Sequence, residues 1–174
     1  MAVQPIRDWP RYGRVDELPA ECEELRANYY AVVAMCDDLL GQLLDWFDAN
    51  EMWKDTALVV TTDHGFLLGE HRFFGKDLPY DEALQVPLLA RGPGITPGTT
   101  SRATASLVDL APTFLDHAGV LEKVRAAGHT DGISLRPVWS EGARVNDTSL
   151  IQAGTSDPEA LAAYGEIVGS AFQL

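Results

Sequence analysis

The sequence predicts an α/β fold, part of a mixed, mostly parallel sheet flanked by helices, and three observations carry that expectation. A helical repeat of apolar residues begins at Leu25, a β-prone run, Ala57-Leu-Val-Val-Thr-Thr62, follows it, and a second short apolar run, Val86-Pro-Leu-Leu-Ala90, comes after. Helix followed by strand is the repeating step of such folds. A continuous apolar strand is what burial on both faces of a parallel sheet requires.

Residues 1–24 are rich in Pro and Arg and read as an irregular lead-in. From Leu25 the pattern changes. Leu25, Tyr29, Val32, Cys36, Leu39, Leu43 and Trp46 recur at alternating steps of four and three, which puts them on one helical face. That stripe is expected to pack on the sheet, and Asp48-Ala-Asn-Glu51 closes the helix. The strand from Ala57 to Thr62 stops at Asp63-His64-Gly65, so it delivers two potential metal ligands to one point. The carboxyl end of a strand is where open α/β sheets place their sites.

Between the strands, Gly65 to Glu82 reads as a loop of about eighteen residues carrying His71 and Lys76, and long ordered loops commonly hold binding groups. Arg91-Gly-Pro-Gly-Ile-Thr-Pro-Gly98 is a turn-rich exit from the second strand, with Arg91 expected to anchor it. Asp109 is expected to N-cap a helix with Pro112 in its first turn and Gly119 as its stop. Leu110, Phe114, Leu115 and Ala118 of that helix are expected to face the core. His117 and His129 read as surface or helix-end groups, and Tyr29 and Tyr30 as core and edge aromatics. After Leu135 the pattern fades.

At 174 residues, 46% hydrophobic and 22% charged, the chain has the composition of one globular domain. A formal charge of -13 disfavours nucleic acid and anionic membranes as partners. Cys22 and Cys36 make no disulfide framework, and two cysteines on one helix do not bridge each other. No stretch approaches the roughly twenty apolar residues of a membrane span. The amino terminus lacks the apolar core of a signal peptide. If the chain is complete, these features imply a cytoplasmic protein; any upstream half would carry its own address.

The order Thr62-Asp-His-Gly65, Gly69-Glu-His71, Lys76 and Val86-Pro-Leu-Leu-Ala-Arg-Gly-Pro-Gly94 resembles the latter half of the type I sulfatase catalytic domain. Asp109-Leu-Ala-Pro-Thr-Phe-Leu-Asp-His-Ala-Gly119 and Asp131-Gly-Ile-Ser-Leu135 are similar to further stretches of that family, so the likeness runs from about Tyr29 to Leu135. The resemblance implies an alkaline-phosphatase-like fold, incomplete on its N-terminal side. It divides the chain into the lead-in, a partial catalytic domain over 25–140, and a tail or truncated subdomain over 141–174. In tone it is nearest to sulfatases acting on sulfated sugars.

By this resemblance Asp63 matches a metal-ligand aspartate, and His64 stands where sulfatases carry Asn or His. Lys76 matches the lysine that contacts the sulfate group, and His71 lies close to the site. One divalent metal is implied, calcium first, with the His64 nitrogen leaving room for magnesium, manganese or zinc. The family's nucleophile is formylglycine, made from Cys or Ser within Cys/Ser-x-Pro/Ala-x-Arg. Neither Cys22 nor Cys36 lies in such a motif. The paired acidic metal ligands of the family's first strand are also missing, and Asp37 and Asp38 sit inside a helical pattern.

The implied function is therefore that of a sulfuric ester hydrolase fragment, inactive alone. A missing N-terminal half is expected to supply its nucleophile. A phosphodiesterase or phosphonate hydrolase of the same superfamily is the second reading. A non-catalytic relic or partner subunit is the third, with a complementary N-terminal chain or a second copy covering exposed sheet edges and apolar surface.

Overall fold

A computed structural model describes residues 13–14, 20–76, 78–143, 145, 148–151 and 167–170. The chain forms two compact units, Met1–Leu89 and Ala90–Leu174. Among the described residues no helix is long and apolar enough to cross a membrane.

In the first unit a short strand, β1 (Gly13–Arg14), precedes a helix, α1 (Ala20–Ala49). Between Ala27 and Leu44 the helix has no proline and only one glycine, Gly41, so nothing in its interior breaks the hydrogen-bond ladder. Its end is fastened locally: the Trp53 indole donates to Asp48 Oδ1 at 2.6 Å, and the Phe47 and Trp53 rings lie 4.8 Å apart. Glu51, at φ 53°, turns the chain out of the helix.

The helix is where the sequence expected it, starting five residues earlier, but its apolar stripe is not packed on a sheet. Leu39 remains 55% exposed and Trp46 52% exposed, and Leu25, Tyr29, Val32 and Leu43 are exposed with them. The reason is geometric. A 30-residue helix is about 45 Å long, whereas the four-residue strand that follows spans only about 13 Å. Cys36 is free and exposed on α1; the Cys22 side chain lies outside the described residues.

That strand, β2 (Leu58–Thr61), pairs with β5 (Leu88–Arg91), at whose midpoint the first unit ends. With one neighbour, β2 is half-buried along its length instead of covered on both faces as its composition suggested. The second strand begins after Pro87, which has no N–H to give to a ladder.

The segment expected to be a plain loop is built. Two antiparallel strands, β3 (Leu67–Leu68) and β4 (Phe73–Gly75), pair Leu67 with Gly75 and Leu68 with Phe74, and β1 adds on the far side of β4. One helical turn, α2 (Asp81–Leu84), then closes the segment. Leu67, Phe73, Leu78 and Ala83 form a buried cluster with Tyr80 packed against it. Burial of each large side chain is worth about 1.5–3 kcal/mol, enough to hold the segment in one conformation.

In the second unit, Ser106 and Asp109 form a reciprocal capping box over a 3-10 turn that leads into α3 (Leu110–His117). Asp109 is thus the residue that precedes α3, as expected, but its buried carboxylate closes the box on the 3-10 turn and makes no side-chain cap bond to α3. Ala118 and Gly119, the latter at φ +71°, end the helix as expected. The face turned inward is Asp109, Pro112 and Thr113, while Phe114 and Ala118 are exposed. Polar pairing explains the change. Asp109 Oδ2 accepts from Ser106 N and Oδ1 from Ile133 N, each at 2.9 Å, and Thr113 Oγ1 accepts from Leu135 N at 2.8 Å.

One turn on, Asp116 accepts from Ser134 Oγ at 2.6 Å and from Arg136 Nη1 at 2.9 Å. Asp109, Thr113 and Asp116 therefore clasp the segment 133–136, which leads into the next helix. Two short helices, α4 (Leu121–Ala126) and α5 (Arg136–Glu141), belong to the same unit. An antiparallel pair, β6 (Thr148–Ile151) with β7 (Ile167–Ser170), lies in the C-terminal stretch.

Candidate functional site

Asp63 and His64 leave β2 at its carboxyl end, and their side chains converge: Asp63 Oδ2 lies 3.3 Å from His64 Nε2. The first carboxylate oxygen is held by its neighbours, accepting from His64 N at 3.0 Å and from Thr62 Oγ1 at 3.3 Å. His64 Nδ1 donates to Gly65 O at 2.8 Å, which fixes the ring and turns Nε2 outward as an acceptor. Lys76 Nζ donates to that nitrogen at 2.7 Å. Lys76, twelve residues further along the chain, thus reaches the same His64 nitrogen that faces Asp63.

Desolvation pushes the Asp63 carboxyl upward, but the adjacent His64 ring and hydrogen bonds from the local backbone and Thr62 outweigh it, so the acid sits below its ordinary range. It is anionic at neutral pH and largely exposed. An anionic oxygen beside an outward imidazole nitrogen fits a divalent cation as part of its shell. Among the described residues no third His, Cys, Asp or Glu joins them.

His71 is in a second cluster. Its ring stacks on Tyr80 with centroids 3.9 Å apart and planes at 12°, and its Nε2 lies 3.5 Å from Glu82 Oε2. His71 and Arg72 both adopt left-handed backbone, φ 53° and 66°, following Gly69-Glu70, where Gly69 is at φ 107°. Two successive non-glycine residues in that region carry strain of about 1–3 kcal/mol each. The turn is held by Glu70, whose carboxylate accepts from Leu68 N, and by Arg26 Nε donating to Leu68 O at 2.6 Å.

The two clusters share a backbone seam. Gly65 N donates to Ala83 O at 2.8 Å, and a side chain at Gly65 would place its Cβ 2.0 Å from Glu82 O. Only glycine after Asp-His permits that approach. Glu82 and Tyr80 were not assigned a role from sequence. Nothing local in Tyr80-Asp-Glu-Ala83 says that its acid reaches back to His71.

The Sulfatase family model matches residues 4–120. Arylsulfatase K of Xenopus laevis is 39% identical over 148 residues, covering 83% of this chain and 27% of that protein. Among solved structures, BT4656 in complex with its substrate D-glucosamine-2-N,6-O-disulfate is 33% identical with a TM-score of 0.63, over 74% of this chain and 26% of that one. A phosphonate monoester hydrolase from Silicibacter pomeroyi is 32% identical with a TM-score of 0.66, over 78% and 27%. The chain spans about a quarter of the length of these proteins. Its mixture of helix and partial sheet is a part of their alkaline-phosphatase-like α/β fold. On the extent of the family match and of these likenesses, the chain belongs to the sulfatase family.

Proposed function

We propose that this chain supplies the metal-holding and sulfate-contacting side of a sulfuric ester hydrolase whose nucleophile lies in a polypeptide segment outside the given sequence. The observation that carries this reading is at the end of β2, where His64 Nε2 lies 3.3 Å from Asp63 Oδ2 and 2.7 Å from Lys76 Nζ. Residues 25–140 are its catalytic portion.

Asp63 and His64 hold one divalent cation, calcium first, with magnesium, manganese or zinc as alternatives. That cation supplies Lewis-acid neutralisation of the sulfate oxygens. Lys76 adds a compact positive charge at a sulfate oxygen or at the leaving alkoxide. His71, oriented by Glu82 and Tyr80, hydrogen-bonds the substrate beside it. The nucleophile is formylglycine from a Cys/Ser-x-Pro/Ala-x-Arg motif, which this chain lacks. The reaction divides an ester and water into an alcohol and sulfate. The glucosamine disulfate bound by BT4656 supports a sulfated sugar as substrate. No nucleic acid or membrane enters the reading.

The test is a chimera in which the matched quarter of BT4656 is replaced by this chain. It is expected to release sulfate from D-glucosamine-2-N,6-O-disulfate with added calcium, and to lose that activity in Asp63→Asn. The chain alone is expected to release none; turnover by the isolated chain would overturn the division of labour. The likeness to the phosphonate monoester hydrolase supports a second reading. Faster turnover of a phosphonate monoester than of the sulfate ester by the same chimera would favour it.

A further inference from the structure

We infer that Arg72 is the seat of a second anionic group on the substrate, a sulfate other than the one that is cleaved, and so makes the site select sugars that carry two. The inference rests on the functional reading above and adds which substrates that site prefers. Arg72 is exposed on the turn between β3 and β4, and its charge is uncommitted. Arg26, Arg125 and Arg136 face carboxylates at 3.9, 3.3 and 2.9 Å; among the described residues no acid faces Arg72. The acids close to it in the chain are taken. Glu70 accepts from Leu68 N and lies 3.9 Å from Arg26, and Glu82 faces His71. With 26 Asp and Glu against 13 Lys and Arg, most of this chain repels an anion, and a bare guanidinium is a place that holds one.

The backbone points the same way. Arg72 has φ 66°, in the left-handed region where a side chain costs conformational energy and glycine does not. Three residues earlier the same turn does use glycine, Gly69 at φ 107°. Arg72 thus keeps a long cationic side chain at a position that a turn alone would give to glycine. Residues held in such conformations cluster at ligand clamps.

Its neighbours are those of the site. His71, the residue before it, stacks on Tyr80 and faces Glu82, whose backbone oxygen abuts Gly65, the residue after His64. Lys76 stands at the other end of β4, four residues on, a Cα separation of at most about 13 Å. The two cations therefore bracket one three-residue strand, and a sugar with two sulfates has an anion for each. Arginine suits the second place because its guanidinium offers parallel N–H donors to two oxygens of one sulfate, which lysine does not.

The experiment uses the BT4656 chimera and two probes, D-glucosamine-2-N,6-O-disulfate and the same sugar with the 6-O-sulfate alone, read by titration calorimetry and by sulfate release. Arg72→Gly should cut the preference for the disulfate about tenfold, the scale of losing a hydrogen bond to a charged group. The urea midpoint of the isolated chain should hold or rise, because the turn is relieved. Arg72→Lys, which keeps the charge without the fork, should recover part of the preference. Equal weakening on both probes with a lowered midpoint would make Arg72 a strut of the turn and overturn the inference. An unchanged preference would overturn it as well. Binding and turnover are read separately. A chimera that loses its binding preference in Arg72→Gly but releases no sulfate upholds the second seat and sinks the functional reading; one that releases sulfate with a preference indifferent to Arg72 does the reverse.

Discussion

Lys76 Nζ donates to His64 Nε2 across 2.7 Å, closing a twelve-residue excursion through β3 and β4. That nitrogen is the one His64 would present to a divalent cation, since Nδ1 is engaged by Gly65 O. The ammonium and the cation therefore compete for one acceptor. Lys76→Met is predicted to tighten calcium binding by the isolated chain several-fold, read by titration calorimetry. In the chimera the same change is predicted to slow sulfate release by about 10²–10³, the scale of losing one fixed electrostatic group. Weaker cation binding in Lys76→Met would show that the lysine supports the metal pair instead of competing with it.

Gly65→Ala tests the seam between the clusters. The added carbon meets Glu82 O at 2.0 Å, so either the 2.8 Å bond to Ala83 O breaks or α2 shifts. The expected loss is about 1–3 kcal/mol of unfolding free energy, measured as a lowered urea midpoint. His71, which depends on Glu82, should become mobile by NMR in a variant that still folds; an unchanged midpoint and ring signal would refute the seam.

Asp109→Ala removes the acceptor of both Ser106 N and Ile133 N from a residue only 2% exposed. Leaving buried donors unpaired costs about 1–3 kcal/mol. Ser106→Ala, which loses only the reciprocal half of the cap, should cost less, about 0.5–2 kcal/mol. Equal losses in the two variants would mean that the clasp on Ile133 contributes nothing.

Acid should weaken the second unit in two stages. Burial and the nearby Arg136 hold the His117 ring below its ordinary 6.5, so the unfolded chain binds its proton first and stability starts to fall as pH drops through that value. The Ser134 hydroxyl and Arg136 hold the Asp116 carboxyl below its ordinary 3.8; its contribution is present above that value and is lost as pH falls through the depressed one. Urea midpoints between pH 3 and 8 should decline in both ranges. His117→Gln should erase the upper decline and Asp116→Asn the lower. A midpoint that rises as the solution is acidified would contradict both assignments.

The elements of this protein with strong periods were legible because their signals are local. The α1 repeat, the run ending at Asp63 and the stop at Gly119 each arise from neighbours a few residues apart, and all three are in place. The family, too, was readable from the order of short motifs. What sequence could not reveal was pairing across distance. The built segment over 65–84, the reach of Glu82 to His71 and the clasp of α3 on 133–136 depend on residues that become neighbours only on folding.

The expected burial of the α1 stripe shows the limit most clearly. Apolar periodicity determines which side of a helix wants cover, because each side chain's transfer free energy is its own. Whether cover is present depends on what else packs there. Sequence alone thus determined that Leu39 and Trp46 share a face and that Asp63 and His64 end a strand. The tertiary structure decided that the face stays open and that Lys76 reaches His64, because contact is a property of the folded assembly and not of any residue within it.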